Sequence, residues 1–195
     1  MSLKNHFALL ATYNQWMNEK LYSAARTLSD DELAQDRGAF FGSVLGTLNH
    51  LVVADRLWLN RLSCHPRFKE ALSELATLPL PTRLDEVLYP DFTQLHQHRV
   101  WLDQQIIQFI DSLDELDLGL TLRYNNTRGE PFAKQCSLVL VHVFNHQTHH
   151  RGQVTTLLTQ AGVEVGPTDL ALLIPEAEPE TSQPIDNAPQ NPQLR

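Results

Sequence analysis

The sequence is poor in the features that mark several large protein classes. No apolar run approaches the roughly 20 residues needed to cross a bilayer, so no membrane association is expected. The opening stretch MSLKNHFALLATYNQW has no basic leader and no small-residue cleavage site, so no secretion signal is expected. There are two cysteines, Cys64 and Cys136, far apart and without a CxxC pair. Reduced thiols in a cytoplasm are the simplest reading, with a disulfide between them left open. Cationic residues form no stripe. Fifteen Lys and Arg stand against 23 Asp and Glu, for a formal net charge of −8. Phosphate binding needs clustered cations, so nucleic acid is not an expected partner. No internal repeat is visible.

What is present is an ordinary globular composition, 42% hydrophobic and 19% charged over 195 residues, enough for one domain with its own core. Four helical stripes carry that core. In residues 3–28, Leu3, Phe7, Leu10, Asn14, Met17, Leu21, Ala24 and Leu28 recur at steps of four and three, with Ser2 as a cap. Ser29 then opens a short acidic turn, Asp30-Asp31-Glu32. The second helix is predicted over 43–63, with Val44, Leu48, Leu51, Asp55, Trp58 and Leu62 inward. The third spans 91–113 along Leu95, Leu102, Ile106, Phe109 and Leu113. The fourth spans 137–161 along Val139, Val143, His146, His150, Gln153, Leu157 and Ala161, and Gly162 is a C-terminal stop.

The connections differ in kind. Residues 64–90 hold four prolines and form a long link, with a helical turn at 68–75. A link of that length allows the second and third helices to run parallel. Residues 119–135 read as a β-hairpin, with strands at 120–124 and 130–134. The predicted fold class is therefore all-α with one small hairpin, in a single unit over 1–174. Residues 175–195 hold five of the eleven prolines and four acids, with no glycine or aromatic, and are expected to form a flexible acidic tail.

Polar side chains interrupt three of the four stripes near mid-helix: Asn14, then Asp55 with His50 on its flank, then His146, His150 and Gln153. Mid-helix positions meet at similar height in a bundle, so one internal polar site is expected. His146 and His150 are four residues apart and project from one face. Burying either ring without a partner costs on the order of 1–3 kcal/mol, and a shared metal ion satisfies both. His50 is the best-placed third ligand from a facing helix. Three protein ligands leave an open position, as in catalytic rather than structural zinc. Imidazoles also suit nickel and iron. His142 has the same spacing to His146, but it lies two turns from His150, roughly 12 Å along the axis. His142 and His149 are read as hydrogen-bonding or surface residues, with His149 also a candidate for the pocket. Asp55 is read as taking the free N–H of a liganding histidine. The alternative is an ion pair with Arg56 or Arg151. For Asn14 and Gln153, a site role and a buried hydrogen bond that fixes register stand level. The three tryptophans are expected in the core, and His96 and His98 in solvent. No catalytic residue stands out.

Three stretches carry a resemblance. Tyr13-Asn14-Gln15-Trp16-Met17-Asn18, GTLNHLVVADRLWLNRL (46–62) and above all HVFNHQTHHRGQVTTLLTQAG (142–162), with its NHxxHHRGQ core, are similar to the DinB family. The resemblance spreads over about residues 3–174. It implies a four-helix bundle in up-down-down-up order, one divalent ion per chain, nickel or zinc, and the triad His50, His146 and His150. It also implies a homodimer. The family name refers to damage-inducible expression rather than DNA binding. The wider superfamily includes a mycothiol-dependent maleylpyruvate isomerase and bacillithiol transferases, so a low-molecular-weight thiol or another small molecule is an expected partner. Two functions compete. One is a metal-dependent enzyme, such as a thiol transferase or a hydrolase. The other is a non-catalytic metal-bearing stress-response protein that acts through its dimer surface.

Overall fold

The structure, a computed structural model, describes residues 2–176, so nearly all of the expected acidic tail lies outside the described residues. The chain is mostly helical with one two-stranded antiparallel sheet. Six α-helices occur among the described residues: α1 (Leu3–Ala25), α2 (Asp30–Ala34), α3 (Val44–Ser63), α4 (Ser73–Ala76), α5 (Phe92–Asp111) and α6 (Cys136–Gln160). Strands β1 (Thr121–Asn125) and β2 (Pro131–Gln135) pair from Thr121 opposite Gln135 to Asn125 opposite Pro131. Short 3-10 turns occupy Glu115–Gly119 and Leu170–Leu173. No helix is long and apolar enough to cross a membrane among the described residues.

Local chemistry sets the helix ends. The side-chain oxygens of Ser2, Ser43 and Asp91 accept from the backbone N–H groups of Asn5, Gly46 and Gln94 at the starts of α1, α3 and α5. Ser29 and Glu32 form a reciprocal capping box on α2. That box explains why α1 stops three residues short of the predicted 28. Thr27 and Leu28 bond back to Ala24 and Ala25 with i−3 spacing, a tightened last turn that delivers Ser29 to its cap. At the other end of the chain, Gly162 (φ +79°) closes α6. Val163 N–H donates to Leu158 O and Gly162 N–H to Thr159 O, the paired bonds of a glycine C-terminal cap. The helical turn expected at 68–75 forms only at Ser73–Ala76, although Phe68, Leu72 and Leu75 are all buried.

The long helices share one core. Phe7, Leu21, Leu48, Leu51, Leu62, Leu95, Leu102, Phe109, Val139, Val154 and Leu158 are all essentially sealed from solvent. Each such side chain contributes about 1.5–3 kcal/mol from burial. α1 packs on α5 and α6, and α3 packs on α6 and α5. Phe7 stacks on Phe144, and Tyr22 on Phe92. Asn49 accepts from Tyr89 N–H and donates to its carbonyl, fixing the start of α3 against the approach to α5. The hairpin is anchored by buried Leu122, with Tyr124 half-buried against Trp58, while every β2 side chain is exposed.

Several expected core positions are not core. Leu3 is exposed, and Trp16, Trp58 and Trp101 are all half-buried. Each tryptophan sits at a helix rim with a polar neighbour: Lys20 over Trp16, Arg61 over Trp58, and His98 stacked on Trp101. His96 and His98, expected in solvent, are half-buried against Tyr22 and Tyr89.

Candidate metal centre

His50 lies in the second turn of α3, and His146 and His150 lie one turn apart in the middle of α6. α3 and α6 pack together, so the three rings converge. Their Nε2 atoms form a near-equilateral triangle: 3.3 Å from His50 to His146, 3.2 Å from His50 to His150 and 3.1 Å from His146 to His150. His50 and His150 are buried, at 4% and 9% exposure, and His146 is half-buried.

The outer nitrogens are tied away from the centre. His50 Nδ1 lies 2.8 Å from the carbonyl oxygen of Leu84. A carbonyl only accepts, so that nitrogen carries the proton and Nε2 presents a lone pair. His150 Nδ1 likewise donates to Gln153 Oε1 at 2.7 Å, and its Nε2 also faces inward as an acceptor. Two buried lone pairs therefore meet at 3.2 Å with no proton between them. A cation relieves that repulsion. A tetrahedral ion with bonds of about 2.0–2.1 Å needs nitrogens about 3.3–3.4 Å apart, close to the observed spacing. The three imidazoles thus fit a divalent ion by donor chemistry and by separation, and they form the group among the described residues that could hold one.

The electrostatics point the same way. Burial lowers the His50 pKa to about 4, with the Leu84 carbonyl opposing part of the fall. Burial lowers His146 to about 3, and His150 and His50 add to the effect. His150 is also lowered, chiefly by burial, with the Gln153 bond opposing. The rings are neutral near pH 7, the form that binds metal.

A short loop braces the site from the side. The Phe41 ring stacks on His50 with centroids 3.8 Å apart and planes 17° from parallel, and it meets His150 edge-on at 5.5 Å. The loop can close this tightly because residue 46 is glycine. A Cβ there would stand 2.2 Å from the Phe41 carbonyl oxygen. Neither Phe41 nor Leu84 carries a sequence signal for this role. Both act through ring stacking or a backbone carbonyl contributed by a connection.

The remaining expected site residues divide. Gln153 joins the triad through His150, and its amide also reaches His149 Nε2 at 3.5 Å. His149 is exposed on the rim. Asp55 takes no histidine N–H. Its carboxylate bonds Arg99 at 2.6 Å, and Gln147 donates to it as well. Asn14 does not line the site either. It donates to Asp103 at 3.0 Å and accepts from Arg151. These residues belong to a second buried cluster, completed by Asn18, whose amide donates to Asp103 at 2.9 Å. Arg99 and Asp103 pair at 2.9 Å within α5. Two sites form instead of one because a helix turns about 100° per residue. His50 and Asp55, five residues apart, therefore point about 140° apart around α3. The signal for the second cluster was the missing rung between Leu95 and Leu102 in the third stripe, which Arg99 occupies.

Within that cluster the two carboxylates and two guanidinium groups cancel in formal charge. Burial opposes the charge on Arg99, but Asp103 and Asp55 together hold its pKa above the usual value. Burial raises Asp103 while Arg99 pulls it down. Burial lowers Arg151 to about 10, still charged at neutral pH.

The sequence model of the DinB family matches residues 1–183. The chain belongs to the DinB family. Protein DinB of Bacillus subtilis (strain 168) is 27% identical over 165 residues, covering 85% of this chain and 91% of that protein. A crystal structure of a DinB-like protein from Bacillus cereus ATCC 10987 is similar with a TM-score of 0.46 and 22% identity, over 77% of this chain and 89% of that one. In this DinB chain, NHxxHHRGQ serves both clusters at once. His146 and His150 enter the triad, and Arg151 enters the charged network.

Proposed function

We propose that His50, His146 and His150 hold one divalent ion, nickel or zinc, and that the protein is a metal-dependent enzyme acting on a low-molecular-weight thiol. The observation that carries this reading is the triangle of inward Nε2 atoms, with the outer nitrogens of His50 and His150 already committed. Such an ion supplies the charge that keeps a thiol deprotonated near neutral pH. Three protein ligands leave room for an exchangeable fourth. The chain's own part is to hold the rings. Leu84 and Gln153 fix the tautomers of His50 and His150, and Phe41 fixes the ring plane of His50. The half-burial of His146 gives the site an opening to solvent.

The frame for this site is a four-helix bundle in up-down-down-up order. Residues 7 and 14 of α1 meet 144 and 151 of α6, so those helices run in one direction. Asn49 and Asp55 of α3 meet Tyr89 and Arg99, which supports one direction for α3 and α5, and Tyr22 and Asn14 of α1 meet Phe92 and Asp103, which supports the opposite direction for α1. The long link 64–90 provides the crossover.

A second reading, a metal-bearing stress-response protein that works through a homodimer surface, draws on one observation. Asp55 is locked to Arg99, and among the described residues no carboxylate joins the group of the three histidines. Elemental analysis and a cobalt-substituted form decide between these. The enzyme reading expects up to one ion per chain, lost in His146→Ala or His150→Ala, and a cobalt spectrum that responds to added thiol. Unchanged metal in both variants overturns the ligand set. A spectrum indifferent to thiols and acids favours the second reading.

A further inference from the structure

Beside the triad, between α3, α6 and the hairpin, lies a cavity of about 540 Å³ lined by Trp58, Tyr124, Lys134, Leu138, Val139 and His142. That size is typical of small-molecule sites. Trp58 is its hub, edge-on to Tyr124 with centroids 5.4 Å apart and to His142 at 4.8 Å. The His142 ring is in turn 5.8 Å from that of His146, so a single side chain separates the cavity from the triad. Two cations attend the cavity. Lys134 lines it, and the Arg61 guanidinium lies 4.5 Å over Trp58 and 5.2 Å from the Tyr124 ring centre. Neither cation forms an ion pair among the described residues. No carboxylate lines the cavity. In a chain with a formal net charge of −8, this is a local reversal of sign over an aromatic surface.

We propose that this cavity binds the aromatic or alkyl body of a small organic anion, a carboxylate or sulfonate, and that this anion is a substrate of the adjoining site. Its link to the triad rests on the metal-enzyme reading above. The flat faces of Trp58 and Tyr124, with Leu138 and Val139, receive the apolar body. Lys134 and Arg61 receive the anionic group. His142, between cavity and triad, sets the path from one to the other. The apolar rim at Leu138 (62% exposed) would equally suit a second copy of this chain, but two unpaired cations and no acid favour an anion.

The test is calorimetric titration of 2-naphthoate into chelator-treated full-length protein, with 2-naphthalenemethanol as the neutral control. Leu138→Glu places a carboxylate at the cavity edge, in the first turn of α6, where a negative charge favours the helix. It is expected to weaken naphthoate at least about tenfold. Lys134→Ala, on an exposed strand, is expected to weaken it about threefold. The neutral alcohol should bind more weakly than the acid and respond little to Lys134→Ala. Two results overturn the proposal: affinity unchanged in both cavity variants, or no binding by the parent protein, with a dimer that Leu138→Glu splits in sedimentation pointing to a second copy as the occupant. Metal content is measured separately on protein purified without chelator, so a protein that carries no metal as purified yet binds naphthoate overturns the metal reading rather than the anion site.

Discussion

The histidine triad sits on α3 and α6, and the Asp55–Arg99 network takes residues from the same two helices and from α1 and α5, with both clusters in the core. Their chemistry differs in one respect. The network meets charge with charge: Asp55 and Asp103 face Arg99, and Asn14 joins Arg151 to Asp103. In the triad His50 and His150 meet lone pair with lone pair, and their protons are turned outward to Leu84 and Gln153. A cluster that cancels its own charge serves the fold, because nothing external is needed to stabilise it. A cluster that leaves acceptors facing one another calls for an electrophile. Burial and polarity alone would not have separated the two.

The comparison breaks most visibly at Arg99. Arg99→Ala leaves two buried carboxylates uncompensated and is expected to cost about 3–5 kcal/mol, read as a large drop in the urea midpoint. A loss below about 1 kcal/mol would place the network outside the folding core. His146→Ala should behave in the opposite way. Metal binding is abolished in elemental analysis, yet the metal-free variant unfolds within about 1 kcal/mol of the metal-free parent, since His146 is only half-buried and His50 and His150 keep their Leu84 and Gln153 partners. A variant that fails to fold would show that the ring, and not the ion, was structural.

Acid sharpens the same contrast. In the metal-free protein the folded-state pKa values of His50 and His146 lie at about 4 and about 3, below the ordinary histidine value of about 6.5. The unfolded chain therefore binds more protons as pH falls below about 6.5, and the stability present above that pH is lost down to about 4 and about 3. The urea midpoint of the metal-free parent should fall over that window, and more gently in His50→Gln. Equal slopes would mean that the rings are not buried neutral. The smallest effect is expected at Gln153. Gln153→Ala frees His150 Nδ1 and should weaken metal affinity about tenfold with little change in stability. A Gln153→Ala protein with parental affinity would show that the tautomer needs no outer partner.

Much of this was legible in the chain. The steps of three and four located the four long helices to within three residues, and the Asn-Gly-rich stretch located the hairpin to within one. The spacing of His146 and His150, with His50 opposite, singled out the three rings that the fold brings together. The same periodicity misled at Asp55 and Asn14. Interrupted stripes mark which positions face inward, but not which neighbour they face. The tryptophans failed for a related reason: a large ring at a stripe position can sit at the rim, where it covers core with one face and meets a polar side chain with the other.

Helix identity, helix ends and the pairing of His146 with His150 were determined by the sequence itself, because each depends on residues within a turn or two of one another. What only the tertiary structure decided is how the polar interior divides. The carbonyl of Leu84, the ring of Phe41 and the guanidinium of Arg99 come from segments remote in sequence. Whether a buried histidine finds a donor, an acceptor or another lone pair depends on distances of a few tenths of an ångström across helices, and no local pattern encodes those.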